Sequence, residues 1–215
     1  MKKLLAVLLL LTVLVCGSSC KRTPSISVGK PDVYEIAASS KPTKVTTEVS
    51  YTTNAGDNLS GYYVTTIDGN DTVFEYTYDR LATPAESIAD GTNDRIKTVQ
   101  GVIYYHDGVY SGDQEEWKPG TGTALNLTLN IKKSNLKDIS FNEDKTILTA
   151  KISPDKAADV LGTNLNAIED IDLVVETNGV NLTIVTISCN TANGAMTIRT
   201  SYTYNVQDLF PEEAE

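Results

Sequence analysis

Histidine, tryptophan and cysteine are scarce in this chain of 215 residues, which holds one His, one Trp and three Cys. Each scarcity excludes a class of chemistry. A Ser-His-Asp or Cys-His relay would have to use His106, and its place beside Asp107-Gly108 reads as a turn position instead. The Cys and His spacing that holds zinc is lacking, so no metal and no cofactor is expected. Cys16 and Cys20 fall close to the N-terminus, which leaves Cys189 alone and no disulfide to staple the folded part. Cys189 lies in a strand-like run and reads as a small buried hydrophobe. A domain of about 195 residues folds without such a staple, because it buries roughly 70% of its unfolded surface. Basic residues are also few: 18 Lys and Arg stand against 28 Asp and Glu, a formal net charge of −10. Loss of Lys2 and Lys3 on processing would bring it to about −12, which argues against nucleic acid and an anionic bilayer surface as direct partners.

Long apolar runs are missing too, with one exception at the start. Met1-Lys2-Lys3 precedes an apolar stretch from Leu4 to Val15, and Cys16-Gly17-Ser18-Ser19-Cys20 follows. A charged start, a short greasy middle and a small-residue exit form a secretory signal. The stretch is shorter than the roughly 20 apolar residues that span a bilayer, so it reads as an export address. Two processing routes remain open. A lipoprotein peptidase would cut before a diacylglyceryl-modified Cys20, reading GSSC as a lipobox in which Gly17 stands where Leu is usual. An ordinary signal peptidase would cut after Ser19, reading Gly17 and Ser19 as its small pair. The first route makes Cys20 the lipid attachment site and places the protein on the outer face of a bacterial cell membrane. The divisions expected are a signal over 1–19, a flexible tether over 20–31 and a single antiparallel β domain over 32–215.

What is present in the rest of the chain is period two. Asp32 to Ser39 reads as a short helical turn with Val33, Ile36 and Ala37 on one side, stopped by Pro42. Val45, Thr47, Val49 and Tyr51 then alternate with polar neighbours, and Leu59 to Ile67 turns through Asp68-Gly69 into Thr72 to Tyr78. Pro84 to Ala89 has helix formers, Arg95 to Tyr105 reads as a strand, and Asp107-Gly108 turns it towards Val109 and Tyr110. Ser111 to Thr123, with Trp117, reads as loop. Leu125, Leu127, Leu129 and Ile131 predict a half-buried strand. Ile139 and Phe141 lead through a turn to Thr146–Ile152. Ser153 as N-cap, Pro154 and Asp155 start a helix that Gly162 ends. Ile171 to Glu176, Asn178-Gly179 and Val180 to Cys189 predict a hairpin, and Asn193-Gly194 starts a last strand with Met196, Ile198, Tyr202, Tyr204 and Val206 on one face. The hairpins imply an antiparallel meander with one face for a core and one for water. The fold class expected is mainly β (α+β): a curved antiparallel sheet or half-barrel with one or two short helices.

Other clusters have simpler explanations. Asp68, Asn70 and Asp71 lack the length and late Glu of an EF-hand loop and suit a turn. Among the abundant carboxylates nothing singles out a catalytic pair, so the chain is expected not to be an enzyme. Tyrosine is the dominant aromatic, 11 against 3 Phe, with Tyr62, Tyr63, Tyr76, Tyr78, Tyr104, Tyr105, Tyr202 and Tyr204 in strand-like runs. They serve either as sheet formers with the hydroxyl reaching water or as a protein- or glycan-binding surface.

The run ILTAKISPDKAADVLG, followed by a strand, an Asn-Gly turn and two further alternating strands, resembles the closing half of the LolA-like fold. The likeness is to LprG/LppX-type lipoproteins, and it is strongest over residues 136–206. It implies a half-barrel closed by helices over an apolar cavity that binds or carries acyl chains. The chain departs from that pattern before its first strand, where Asp32 to Ser39 replaces a longer helix. Leu125, Leu127, Leu129, Met196 and Ile198 are the candidate cavity residues. The partners expected are a membrane, through the lipid anchor, and a lipidic or apolar ligand, on a monomeric protein. The alternative is a structural or protein/glycan-interaction module of the cell envelope with no cavity.

Overall fold

Alternation in this sequence becomes strands wherever inward residues find neighbours in register. The computed structural model describes residues 32–69, 71–89, 95–106, 109–110 and 129–205. The expected signal and tether, Asn70, the turn Asp107-Gly108, the loop 111–123 with Trp117, and Val206 lie outside the described residues. Among the described residues ten strands form one sheet, antiparallel at every pairing. They are β1 (Lys44–Thr53), β2 (Asn58–Asp68), β3 (Asp71–Leu81), β4 (Ile96–His106), β5 (Val109–Tyr110), β6 (Lys137–Phe141), β7 (Ile147–Ile152), β8 (Ile171–Thr177), β9 (Leu182–Thr191) and β10 (Gly194–Thr203). Three short helices accompany them among the described residues: α1 (Val33–Ser39), α2 (Pro84–Ala89) and α3 (Ala157–Leu161). The protein is thus mainly β, as its alternation predicts.

The spatial order is β5-β4-β3-β2-β1-β10-β9-β8-β7-β6, and the sheet does not close on itself. A single meander would run in chain order, whereas two meanders meet here at the pairing of β1 with β10. That pairing sets Val45 against Tyr202, Thr47 against Thr200 and Val49 against Ile198. It makes one continuous inner face from residues about 150 positions apart in the chain.

The core occupies only part of that face. Leu148, Ile152, Ile171, Leu173, Val175, Ile187 and Ile198 are fully buried beneath Val33 of α1 and Ala157, Val160 and Leu161 of α3. Among the described residues, β2–β5 contribute nothing to this cluster. α1 packs on β8 and β9. Asp32 caps it by accepting the Glu35 amide at 2.9 Å, and the Ser40 hydroxyl donates to the Ile36 carbonyl at 2.8 Å before Pro42 ends the helical path. Seven residues rise only about 10 Å, too little to reach past β10.

Local chemistry departs from expectation in three places. Leu129 and Ile131 are not in a strand: the Asn130 amide donates to the Val160 carbonyl at 2.8 Å, so this segment follows the end of α3 and buries Ile131 there. The alternation of Leu125 to Ile131 reports one-sided burial, which in the described part comes from packing on a helix. The run into α3 starts as a 3-10 turn over Pro154–Lys156, and Ser153 accepts through its carbonyl, with no side-chain cap. Gly162 ends α3 at φ 72, the left-handed position glycine tolerates best. The loop after β8 spans four residues, because Asn178 Oδ1 accepts the amides of Val180 and Asn181 and delays β9 to Leu182.

Candidate binding groove

Where the helix-covered part of the inner face ends, the sheet continues and a groove of about 360 Å³ opens. Ala37, Ala38, Ser40 and Pro42 form one wall, from the end of α1. Val45, Thr47, Thr200 and Tyr202 form the floor on β1 and β10, and Tyr63, Thr65, Ile67 and Phe74 continue it on β2 and β3. Leu129 and Leu182 complete the lining among the described residues, and none of these side chains is charged. Its polar groups are hydroxyls. Thr47 and Thr200 are buried and bond to each other through their side-chain oxygens at 3.1 Å, so two hydroxyls on an apolar floor satisfy one another.

The wall is tied down. The Leu182 amide donates to Ser40 Oγ at 3.0 Å, and Tyr204 Oη donates to the Leu182 carbonyl at 2.8 Å. Burial, with Tyr204 nearby, pushes the Tyr202 phenol from its ordinary 10.0 up to about 12. Burial, with Tyr78 beside it, also raises that of Tyr63. Both phenols are therefore neutral hydrogen-bonding groups at the groove across the physiological range.

From Tyr63 and Phe74 the inner face continues as a mosaic of rings. Tyr63 lies 6.2 Å from Phe74 and 6.4 Å from Tyr78, with interplanar angles of 17° and 15°. Tyr76 joins them, 5.8 Å from Phe74 and 6.1 Å from Tyr78. The rings lie down because glycines leave room for them. A Cβ on Gly101, directly across from Tyr76, would collide with the Tyr76 ring, and one on Gly61 would stand 2.8 Å from Tyr63 Cε2. A second hollow of about 420 Å³ lies on the opposite face, bordered by Tyr62, Val64, Glu75, Thr77, Gln100 and Val102. It is the more open of the two and has Glu75 on its border, so the uncharged inner groove is the better ligand site.

Of the candidate cavity residues, Leu129 lines the groove. Ile198 sits in the closed core with Met196 packed against it, both on β10 but one step further under the helices. Leu125, Leu127 and Cys20 lie outside the described residues. Reasoning from sequence did not select Thr65, Phe74, Ala37 or Pro42 for the groove. Period two puts Tyr63, Thr65 and Ile67 on one face, but only the β1–β10 pairing sets them beside α1. Among the described residues no group of His, Cys, Asp and Glu could hold a metal ion. No helix among them is long and apolar enough to cross a membrane. No protein-family model matches the chain, and no curated protein matches it.

Proposed function

We propose that this is an exported, lipid-anchored envelope protein, not an enzyme, that holds an uncharged apolar ligand, or the apolar part of one, in the groove beside α1. The uncharged lining carries the reading. A site with apolar walls and a few hydroxyls gains roughly 0.8 kcal/mol for each CH₂ it takes from water, but would leave a buried ionic head unpaired. The volume, at the small end of ligand sites, suits a short apolar segment whose polar end stays in solvent. The N-terminal pattern ending at Cys20 supports the anchor, and the resemblance of residues 136–206 to acyl-binding lipoproteins supports the ligand class.

Native mass spectrometry of protein extracted from its own membrane tests both parts. An acyl mass on Cys20 and a co-purified neutral or lipidic molecule are expected. For the groove alone, Thr65→Trp fills the floor: binding of the neutral probe N-phenylnaphthylamine should weaken at least tenfold while the melting temperature holds. Equal probe binding by both proteins would rule the groove out. A second reading rests on the ring mosaic of Tyr63, Phe74, Tyr76 and Tyr78, a flat uncharged platform of the kind that stacks on sugar or protein surfaces. Loss of an envelope partner in Tyr78→Ala, with probe binding intact, would favour it.

A further inference from the structure

The hydroxyls of the groove are not equally engaged. Ser40 Oγ donates to the Ile36 carbonyl at 2.8 Å and accepts the Leu182 amide at 3.0 Å, while Tyr204 Oη donates to the Leu182 carbonyl. Both groups hold the wall and have no proton left to give. Tyr63 Oη lies over Gly61, on the side away from Thr65 and Ile67, so Tyr63 offers the groove its ring. Thr65 is half-buried, within reach of water. The floor differs. Thr47 and Thr200 are only 4% and 1% exposed and share one hydrogen bond. A hydroxyl carries a single proton, so whichever of the two donates, the other keeps an O–H to place. Among the described residues neither side chain makes a second hydrogen bond. Two residues along β10, a step of about 7 Å, the half-buried Tyr202 phenol also lines the groove and makes no hydrogen bond among the described residues. A lone pair left bare costs little, whereas a buried donor left bare costs its full desolvation.

We propose that this floor recognises an acceptor oxygen: the ligand is an apolar molecule bearing an uncharged carbonyl, as in an ester or ketone, whose oxygen takes the remaining proton of the Thr47–Thr200 pair and that of Tyr202. The inference rests on the groove being a ligand site, and adds the chemistry that the site selects. A carbonyl oxygen has two lone pairs and no proton of its own to place, which matches two donors on an apolar floor. A plain hydrocarbon would cover both donors and leave them unpaired. A carboxylate would bring its charge to a lining with no cation among the described residues.

Displacement of N-phenylnaphthylamine from the full chain tests this with three competitors: methyl benzoate, its hydrocarbon counterpart propylbenzene, and benzoate. The native protein should bind methyl benzoate at least tenfold tighter than benzoate. Thr47→Val combined with Thr200→Val keeps the shape of the floor and strands no hydroxyl. In that variant the affinity for methyl benzoate relative to propylbenzene should fall at least fivefold. Tyr202→Phe should lower the same ratio at least twofold, and melting temperatures check that both variants fold. An unchanged ratio in either variant, or benzoate bound as tightly as the ester, would overturn the proposal. The groove itself would survive that result if Thr65→Trp still weakened all three competitors. Equal binding of all three by Thr65→Trp and the native protein would overturn the groove and this proposal together.

Discussion

The two halves of the sheet use the same alternation and end in opposite conditions. In β7–β10 the inward row is mostly Leu, Ile, Val and Ala, and α1 and α3 bury most of it completely. In β2–β4 the inward row is mostly Tyr, Phe, Thr and Gly, with Ile67, Val99 and Ile103 among them, and most of it stays half-buried under no helix of the described chain. Period two therefore assigns a face, while side-chain type tracks whether that face is covered. Aliphatic rows need cover to be worth burying. Tyrosine tolerates partial cover because its ring can lie on the backbone and its hydroxyl can reach water.

The sharpest way to break this contrast is to truncate equivalent inward residues. Leu173→Ala in β8 should cost about 3–4 kcal/mol, because a rigid core leaves the cavity unfilled. Val99→Ala, half-buried on the inward row of the open β4, should cost no more than about 1 kcal/mol. Urea unfolding at neutral pH measures both, and a similar cost for the two would dissolve the distinction.

Alkaline pH gives the next effect. The folded pKa of Tyr202 is raised above its ordinary value, so its contribution is whole below pH 10 and fades as pH climbs towards about 12. The limit for such a shift is roughly 2–3 kcal/mol. Tyr202→Phe should flatten that part of the stability profile, and unchanged steepness would show that other groups govern it.

At the junction of the halves, Thr200→Val alone strands the Thr47 hydroxyl and should cost about 1–2 kcal/mol. The double change Thr47→Val with Thr200→Val should recover most of that loss, because no polar group is left unpaired. In the ring mosaic, Gly101→Ala should cost about 1 kcal/mol by displacing Tyr76. In a Tyr76→Ala background the same change should be neutral or better, and additive effects in the double-mutant cycle would show that ring and glycine do not interact.

Much of this architecture is readable in advance. Most strand cores, the helix end at Gly162 and the hairpin at Asn178 follow from local chemistry, since alternation and turn residues act over a few positions. Leu129 and Ile131 show where such reasoning stops. Their spacing fits a strand, but the backbone hydrogen bonds to the end of α3, and periodicity alone does not distinguish those two ways of being half-buried. The groove lies further from sequence still. Its walls come from α1, its floor from four strands, and among the described residues only Leu129 of the expected cavity set borders it. What was legible is the face on which each residue lies. What was not is the meeting of β1 with β10.

That meeting also governs the order in which the fold can be completed. Lys44 pairs with Thr203, so the contact that joins the halves links the first described strand to the last. A chain made from its N-terminus holds β1–β5 with the β1 edge bare until β10 emerges. Closing so long a loop is slow compared with forming the local hairpins on either side. During that interval the bare edge is the place where two nascent copies can pair wrongly, so the rate-limiting event in folding and the point of greatest aggregation risk coincide at one strand pair.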